Sequence, residues 1–357
     1  MKFLSQTLRQ LLVSVAIGCT LIPIGAMAGF DEGLAAYEKR DFATAIKEFT
    51  PLASQGNADA QFSLGVMYET GQGVTQDYKE AWRLYRLAAA QGNAMAQTNL
   101  GNMYKNGQGV AQDYKEAVRL YRLAAAQRIA LAQTNLGVMY EKGQGVAQDY
   151  NEAVRLHGLA AAQGDALAQY NLGVMYRDGQ GVAQDFKEAA RLFGLAAAQG
   201  DANAQTNLGS MYFNGQGVAL DYKEAVRLFG LAAAQGHASA QYNLGVMYKN
   251  GQGVAQDYKE AARLYGLAAA QGRAFVQTNL GVMYAMGQGV VQSNIVAYAL
   301  WNLSATNDPS ASNNAIKFRT NRAEKMSNAQ IEAAQALTRE LAKPGNFLKA
   351  IARKSSK

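Results

Sequence analysis

Two histidines, one cysteine and a file of methionines are the side chains with any claim on metal or proton chemistry. His157 takes the place that Tyr121 and Phe193 hold in neighbouring copies of a repeat, so it reads as a core position. His237 takes the place of Asn93 and Asp201, which precede helices as caps. Neither has a histidine four residues on or a carboxylate cluster beside it in sequence, so no metal site is expected. Met67, Met103, Met139, Met175, Met211, Met247 and Met283 each stand next to a tyrosine. Thioethers in series can hold copper, but at this core spacing they predict packing. Glu80/Arg83 and its counterparts down to Glu260/Arg263 form i, i+3 pairs. At roughly 0.2–0.5 kcal/mol each, such pairs describe a solvated face. There is no Gly-x-Ser-x-Gly elbow, no P-loop and no dinucleotide fingerprint. The sequence therefore points to no catalytic, cofactor-binding or metal-binding residue, and to a protein that is not an enzyme.

The element that carries these residues is a repeat. Gly-Gln-Gly-Val recurs at Gly71, Gly107, Gly143, Gly179, Gly215, Gly251 and Gly287, always 36 residues apart. A fixed period of this length marks stacked units that cannot bury their apolar faces alone. In one copy, Ala96, Leu100, Met103 and Tyr104 fall on a single helical stripe, predicting a helix over 94–105. Gly107 then supplies a left-handed C-terminal residue. Asp113-Tyr-Lys-Glu116 reads as an Asp version of the capping box for a second helix, burying Tyr114, Ala117, Leu120, Tyr121 and Ala124. Leu64, Leu100, Leu136, Leu172, Leu208, Leu244 and Leu280 are each followed by glycine. A mid-helix glycine costs about 1 kcal/mol against alanine, so close approach of the partner helix is expected there. Nothing in the sequence accounts for Gly158, Gly194, Gly230 and Gly266, which replace Arg86 and Arg122 in the second helix. The expectation is an all-α array.

The unit Ala-x-x-x-Leu-Gly-x-x-Tyr, Gly-x-Gly-Val, Asp-Tyr-x-x-Ala, Ala-Ala-x-x-Gly resembles the Sel1-like repeat family, a relative of the tetratricopeptide repeat. The resemblance covers Phe30 to Ala342. It implies a right-handed α-α superhelix, or solenoid, of stacked helix pairs that works as an adaptor or scaffold for a protein or peptide. Some secreted members carry a disulfide in each repeat and have been linked to β-lactam binding. That gives the alternative reading, a weak binder or hydrolase of β-lactams or cell-wall fragments.

Taken in order, residues 1–28 read as a signal peptide. Lys2 and Arg9 precede an apolar run from Leu11 to Ile24, and Ala26-Met27-Ala28 is a small-x-small cleavage signature. The run is short for a bilayer span, so export to the periplasm or outside is expected, with no transmembrane span after cleavage. Cleavage would remove Cys19, the one cysteine, and leave stability to packing alone. Residues 29–56 read as a tetratricopeptide-like helix pair with Asp41 between its helices. Residues 57–307 hold the seven 36-residue units, and 308–357 hold C-terminal capping helices and a basic tail. A helix is expected to open at Asp308-Pro309, and Ser327-Asn-Ala-Gln330 is a capping box for a last one. The formal net charge is +7. Residues 310–357 carry ten basic against three acidic side chains, residues 1–28 carry +2, and so 29–309 carry −2. The basic end could touch an anionic surface weakly, while in an exported protein nucleic acid is not an expected partner.

One junction departs from the pattern: Gln127-Arg128-Ile129 stands where other copies have Gln-Gly-Asn or Gln-Gly-Asp, losing both the glycine and the cap. In the tetratricopeptide relatives, first helices line the binding groove. By that resemblance the exposed positions are two before the leucine, two after it and five after it. They run from Phe62, Val66 and Glu69 to Thr278, Val282 and Ala285, and include Thr98, Thr134 and Thr206. Among them Tyr170, Arg177, Phe213, Tyr242, Lys249, Asn102 and Lys105 are the expected protein-binding residues, since aromatic and Arg side chains make interface hot spots.

Overall fold

Helix follows helix from the first described residue to the last. The structure, a computed structural model, describes residues 24–310 and 313–355, with side chains from Gly29 to Lys354. Most of the expected signal segment and Cys19 lie outside them. Among the described residues there is no strand. The chain divides into two compact units, Met1–Asp165 and Ala166–Lys357. The boundary falls between the third and fourth copies of the repeat.

In the first unit, α1 (Ile24–Glu38) and α2 (Phe42–Ser54) form the opening pair. The repeats follow as α3 (Ala58–Thr70) with α4 (Tyr78–Ala90), α5 (Ala94–Asn106) with α6 (Tyr114–Ala126), and α7 (Ala130–Lys142) with α8 (Tyr150–Ala162). In the second unit they are α9 (Ala166–Asp178) with α10 (Phe186–Ala198), α11 (Ala202–Asn214) with α12 (Tyr222–Ala234), α13 (Ala238–Asn250) with α14 (Tyr258–Ala269), and α15 (Ala274–Met286) with α16 (Asn294–Asn307). Three helices close it: α17 (Ala315–Ala323), α18 (Asn328–Leu341) and α19 (Phe347–Ser355). Through the repeats of each unit every helix packs on its predecessor, so the units are solenoids of stacked helix pairs, as the period requires, while α17 and α18 both pack on α16.

The boundaries follow from local chemistry. Asn93 Oδ1 accepts from the Ala96 amide at 2.8 Å, and Gly107, at φ +69, returns its amide to Met103. Gly109 is also left-handed, at φ +70, and a Cβ on it would overlap the Tyr78 carbonyl of the preceding repeat. The turn is therefore both a chain reversal and a contact between repeats. Asp113 caps α6 through the Lys115 and Glu116 amides at 2.9 and 3.1 Å. The expected reciprocal half of that capping box is not formed. The Asp113 amide goes to the Tyr104 carbonyl at 2.9 Å, and both Glu116 oxygens are held by Arg119.

Leu100, Met103, Leu120 and Tyr121 are at most 3% exposed. Burying a side chain of this size contributes about 1.5–3 kcal/mol. Tyr104 and Tyr114, expected in that core, are only half-buried because they stand at the turn end beside the largely exposed loop. All seven methionines of the series are within 2% of full burial, so they are core packing. The glycine after each leucine is explained by an aromatic ring. A Cβ on Gly101 would lie 2.7 Å from the Tyr121 ring, and Gly65 meets Tyr85, Gly173 meets Phe193 and Gly281 meets Trp301 in the same way.

A second stitch is a buried glutamine. Gln97 donates to the Ala89 carbonyl of the previous repeat at 3.3 Å and accepts from Gln127 at 2.9 Å, tying three helices together. Gln61, Gln205 and Gln241 do the same.

The C-terminal end departs from expectation twice. No helix opens at Asp308-Pro309. Asn313 instead folds the chain back, donating to the Asp308 and Ser304 carbonyls at 2.7 and 3.1 Å and capping the Ala315 amide at 3.0 Å. Nor is the basic end a free tail: α19 buries Phe347, Ala350 and Ile351 in the closing core. The capping box at Ser327 and Gln330 is formed.

Candidate protein-binding face

Every first-helix position expected at the groove is buried or half-buried. The threonines do not face solvent at all. Thr98 and Thr134 are 0% exposed, with Thr206 and Thr278 at 8% and 7%. Each hydroxyl is spent internally: Thr98 on Ala94, Thr134 on Asp165, Thr206 on Ala202 and His237. Ala285, at 6%, is also core.

In the first unit the face carries one ring, Phe62 with its centroid 5.9 Å from that of Tyr85, and polar side chains closed by their own hydrogen bonds. Tyr85 donates to the Glu69 carboxylate at 2.6 Å and receives Asn99 at 3.2 Å. Burial, with the Glu69 charge second, drives the Tyr85 hydroxyl well above its usual value. Asn102 accepts from Tyr121 at 2.7 Å and from Asn135 at 3.1 Å, so its carbonyl is already engaged. Lys105 is half-buried; burial, then the neighbouring Lys142, holds its amine below the usual lysine range.

His157 corrects an expectation. It does have a carboxylate partner: Nε2 lies 2.9 Å from Glu141, while Nδ1 is buried with no hydrogen-bond partner. With Nε2–H donating to the carboxylate, Nδ1 is left as a bare lone pair, the less costly of the two ways to bury it.

In the second unit the same face is aromatic. Tyr170 leans on Phe193 with ring centroids 5.8 Å apart. Burial raises its hydroxyl, which Asn207 binds. Arg177 is held in place: Nε and Nη2 donate to Asp178 at 2.7 and 2.8 Å, and Nη1 donates to Asn207 at 2.7 Å. The Asp178 hydrogen bond is the main cause that raises this guanidinium and lowers that carboxyl. Tyr242 stacks on Tyr265 at 5.3 Å, meets Phe275 edge-on at 4.9 Å and receives Asn279 at 3.2 Å. Phe275 is 49% exposed, an aromatic surface outside the core. Lys249, two turns further along the same helix as Tyr242, is half-buried. Phe213 turns aside to Tyr222, 5.4 Å away on the next helix. The structure thus gathers Tyr170, Arg177 and Asn207 in one cluster and Tyr242, Phe275 and Asn279 in another.

Asn207, Asn279, Asn135 and Phe275 were not among the expected residues. The asparagines had a signal: Asn99, Asn135, Asn171, Asn207, Asn243 and Asn279 precede the leucine in six of seven copies. Among the described residues no group of three or more His, Cys, Asp or Glu could hold a metal ion, and no helix is long and apolar enough to cross a membrane.

Comparison with known proteins places this geometry. The Sel1 repeat family model matches seven times, over residues 58–93, 94–128, 130–165, 166–201, 202–237, 238–272 and 274–309. A Sel1 repeat protein from Oxalobacter formigenes is 34% identical, with a TM-score of 0.64 over 68% of this chain and 99% of that one. A protective antigen of uropathogenic Escherichia coli strains, displaying an SLR fold, is 26% identical, with a TM-score of 0.52 over 99% of this chain and 97% of that one. No curated protein matches.

Proposed function

Since this chain belongs to the Sel1 repeat family, we propose that it is a non-enzymatic scaffold of the bacterial envelope that holds a protein or peptide against the first helices of its second unit. The observation that carries this reading is the pre-set Tyr170–Arg177–Asn207 cluster. A guanidinium already fixed by Asp178 and Asn207 and a ring already backed by Phe193 lose little conformational freedom on binding. Rigid aromatic and Arg anchors of this kind dominate interface energetics.

Export belongs to the same proposal. Cleavage after Ala28 would shorten α1 to begin at Gly29, placing Asp31 and Glu32 in its first turn, where the helix dipole favours acids. The protective-antigen description of the Escherichia coli relative fits a protein outside the cytoplasm. Exposed Lys317, Lys325 and Lys349 near the C-terminus would add weak attraction to anionic surfaces.

The test has two parts. N-terminal sequencing of the envelope form should read Gly29 onward; a chain still starting at Met1 overturns export. Affinity purification of that mature chain from its own envelope, with mass spectrometry, supplies the partner. Alanine at Tyr170, Arg177 or Tyr242 should then weaken binding at least tenfold without unfolding, and at Phe213 less, whereas Arg191→Ala should not. Loss on Arg191→Ala with no effect of the other substitutions overturns the proposed face.

A further inference from the structure

On the opposite side of the repeats, the second helices carry glycines that the fold itself does not use. Gly194 in α10 and Gly230 in α12 are helical, and a Cβ on either would meet nothing within 4 Å. Glycine is the poorest helix former after proline, so each weakens its helix with no return inside the chain. Beside them Leu195 and Leu231 are 42% and 44% exposed.

The next copy shows what such a site admits. At Gly266 in α14 the chain's own α19 has come in: Leu348 Cδ2 lies 3.3 Å from where a Cβ would be, and Gly266 is buried. Leu267 is half-buried where its two counterparts are exposed. The helix that does this is amphipathic, with Phe347, Ala350 and Ile351 turned into the core and Lys349 and Arg353 exposed. In the first unit the third copy is open in the same way at Gly158, with Leu159 43% exposed, and the first two copies are closed from within. Arg86 lies over the Trp82 ring at 4.7 Å, and Arg122 reaches the Tyr140 hydroxyl at 2.8 Å.

We propose that the Gly194–Leu195 and Gly230–Leu231 faces are a docking strip for an amphipathic, basic helix of a partner protein, one that places a leucine-sized side chain on the glycine as Leu348 does on Gly266. The strip continues an interface already present within the same unit, which is what selects a helix of α19's chemistry as occupant. It lies on the second helices and does not depend on the first-helix face proposed above.

The experiment uses the whole mature chain with ¹³C-labelled leucine methyls. The probe is a synthetic peptide of residues 344–357, held helical by a lactam bridge. The methyls of Leu195 and Leu231 should shift and saturate, while those of Leu87 and Leu123, beside Arg86 and Arg122, stay in place. Gly194→Arg with Gly230→Arg should remove the shifts; arginine suits an exposed helical position, and an unchanged melting curve confirms folding. The proposal is overturned if Leu195 and Leu231 do not move, if they move equally in the variant, or if only Leu267 responds, which would mean simple exchange with α19.

Discussion

Replacing Arg128 by glycine and Ile129 by aspartate should stabilise the first unit at its weakest junction. Arg128 sits at φ +64, whereas Gly92, Gly164, Gly200, Gly236 and Gly272 occupy the same place at +84 to +93. A side chain in this region costs about 1–2 kcal/mol. Glycine relieves that but returns about 0.4–1 kcal/mol through the freer unfolded chain, for a net gain of roughly 0.5–1 kcal/mol. Ile129 makes no side-chain cap, while Asn93 and Asp201 accept from the third residue of their helices at 2.8 and 2.6 Å. A new cap contributes about 1 kcal/mol. Losing the half-buried Ile129 contact costs about 1 kcal/mol. A bond from Thr98 to the new carboxylate, on the pattern of Thr134 to Asp165 at 3.1 Å, offsets that loss. The total is roughly 1.5–2 kcal/mol, more than tenfold in a local opening constant.

Native-state hydrogen exchange reads this directly, because stacked arrays open locally rather than all at once. In the unaltered chain the amides of Ala132 and Gln133 should exchange faster than those of Ala204 and Gln205. In the double variant they should slow by about tenfold or more. Equal protection at the two junctions before substitution, or no slowing after it, would refute the reasoning.

Four further outcomes follow from single positions. His157→Tyr should raise the urea midpoint by the equivalent of about 1–2 kcal/mol, since Tyr85 in the same register bonds Glu69 at 2.6 Å and leaves nothing unpaired; a lower midpoint would sink the idea. Gly101→Ala should destabilise by about 1–3 kcal/mol because its Cβ meets the Tyr121 ring at 2.7 Å. Gly158→Ala, with nothing within 4 Å, should stabilise by about 0.5–1 kcal/mol. Denaturant curves that rank the two variants the other way contradict the packing account. His237 is held below the ordinary imidazole value of 6.5 by burial first and Arg273 second. The unfolded chain therefore takes up the proton first, so this contribution is complete above 6.5 and is lost as pH falls through the lowered value. His237→Asn should flatten that part of the stability–pH curve and restore the missing cap; an unchanged slope argues against it.

The repeat, its two helices, their caps and turns, and the buried Leu-Met-aromatic stripe were all legible in the sequence. These are local properties repeated seven times, so period and residue type carry them without knowledge of the fold. The purpose of the glycine after Leu100 was also legible as a close approach, though not that the approaching group is the Tyr121 ring. What the tertiary structure decided lies in side chains whose partners are distant in the chain. Thr98 and Asn102 share a helix face with Lys105, yet only the stacked neighbours turn the first into core and engage the second. Arg177 gains its fixed position from Asn207, thirty residues on. The orphaned Nδ1 of His157 depends on Glu141 lying across the helix pair. Phe347, Ala350 and Ile351 have helical spacing, but their burial, and the contact of Leu348 with Gly266, exist only because the chain folds back over the last repeats. Spacing along a chain fixes which face a residue shares; what covers that face is set by packing between elements, and there the sequence alone ran out.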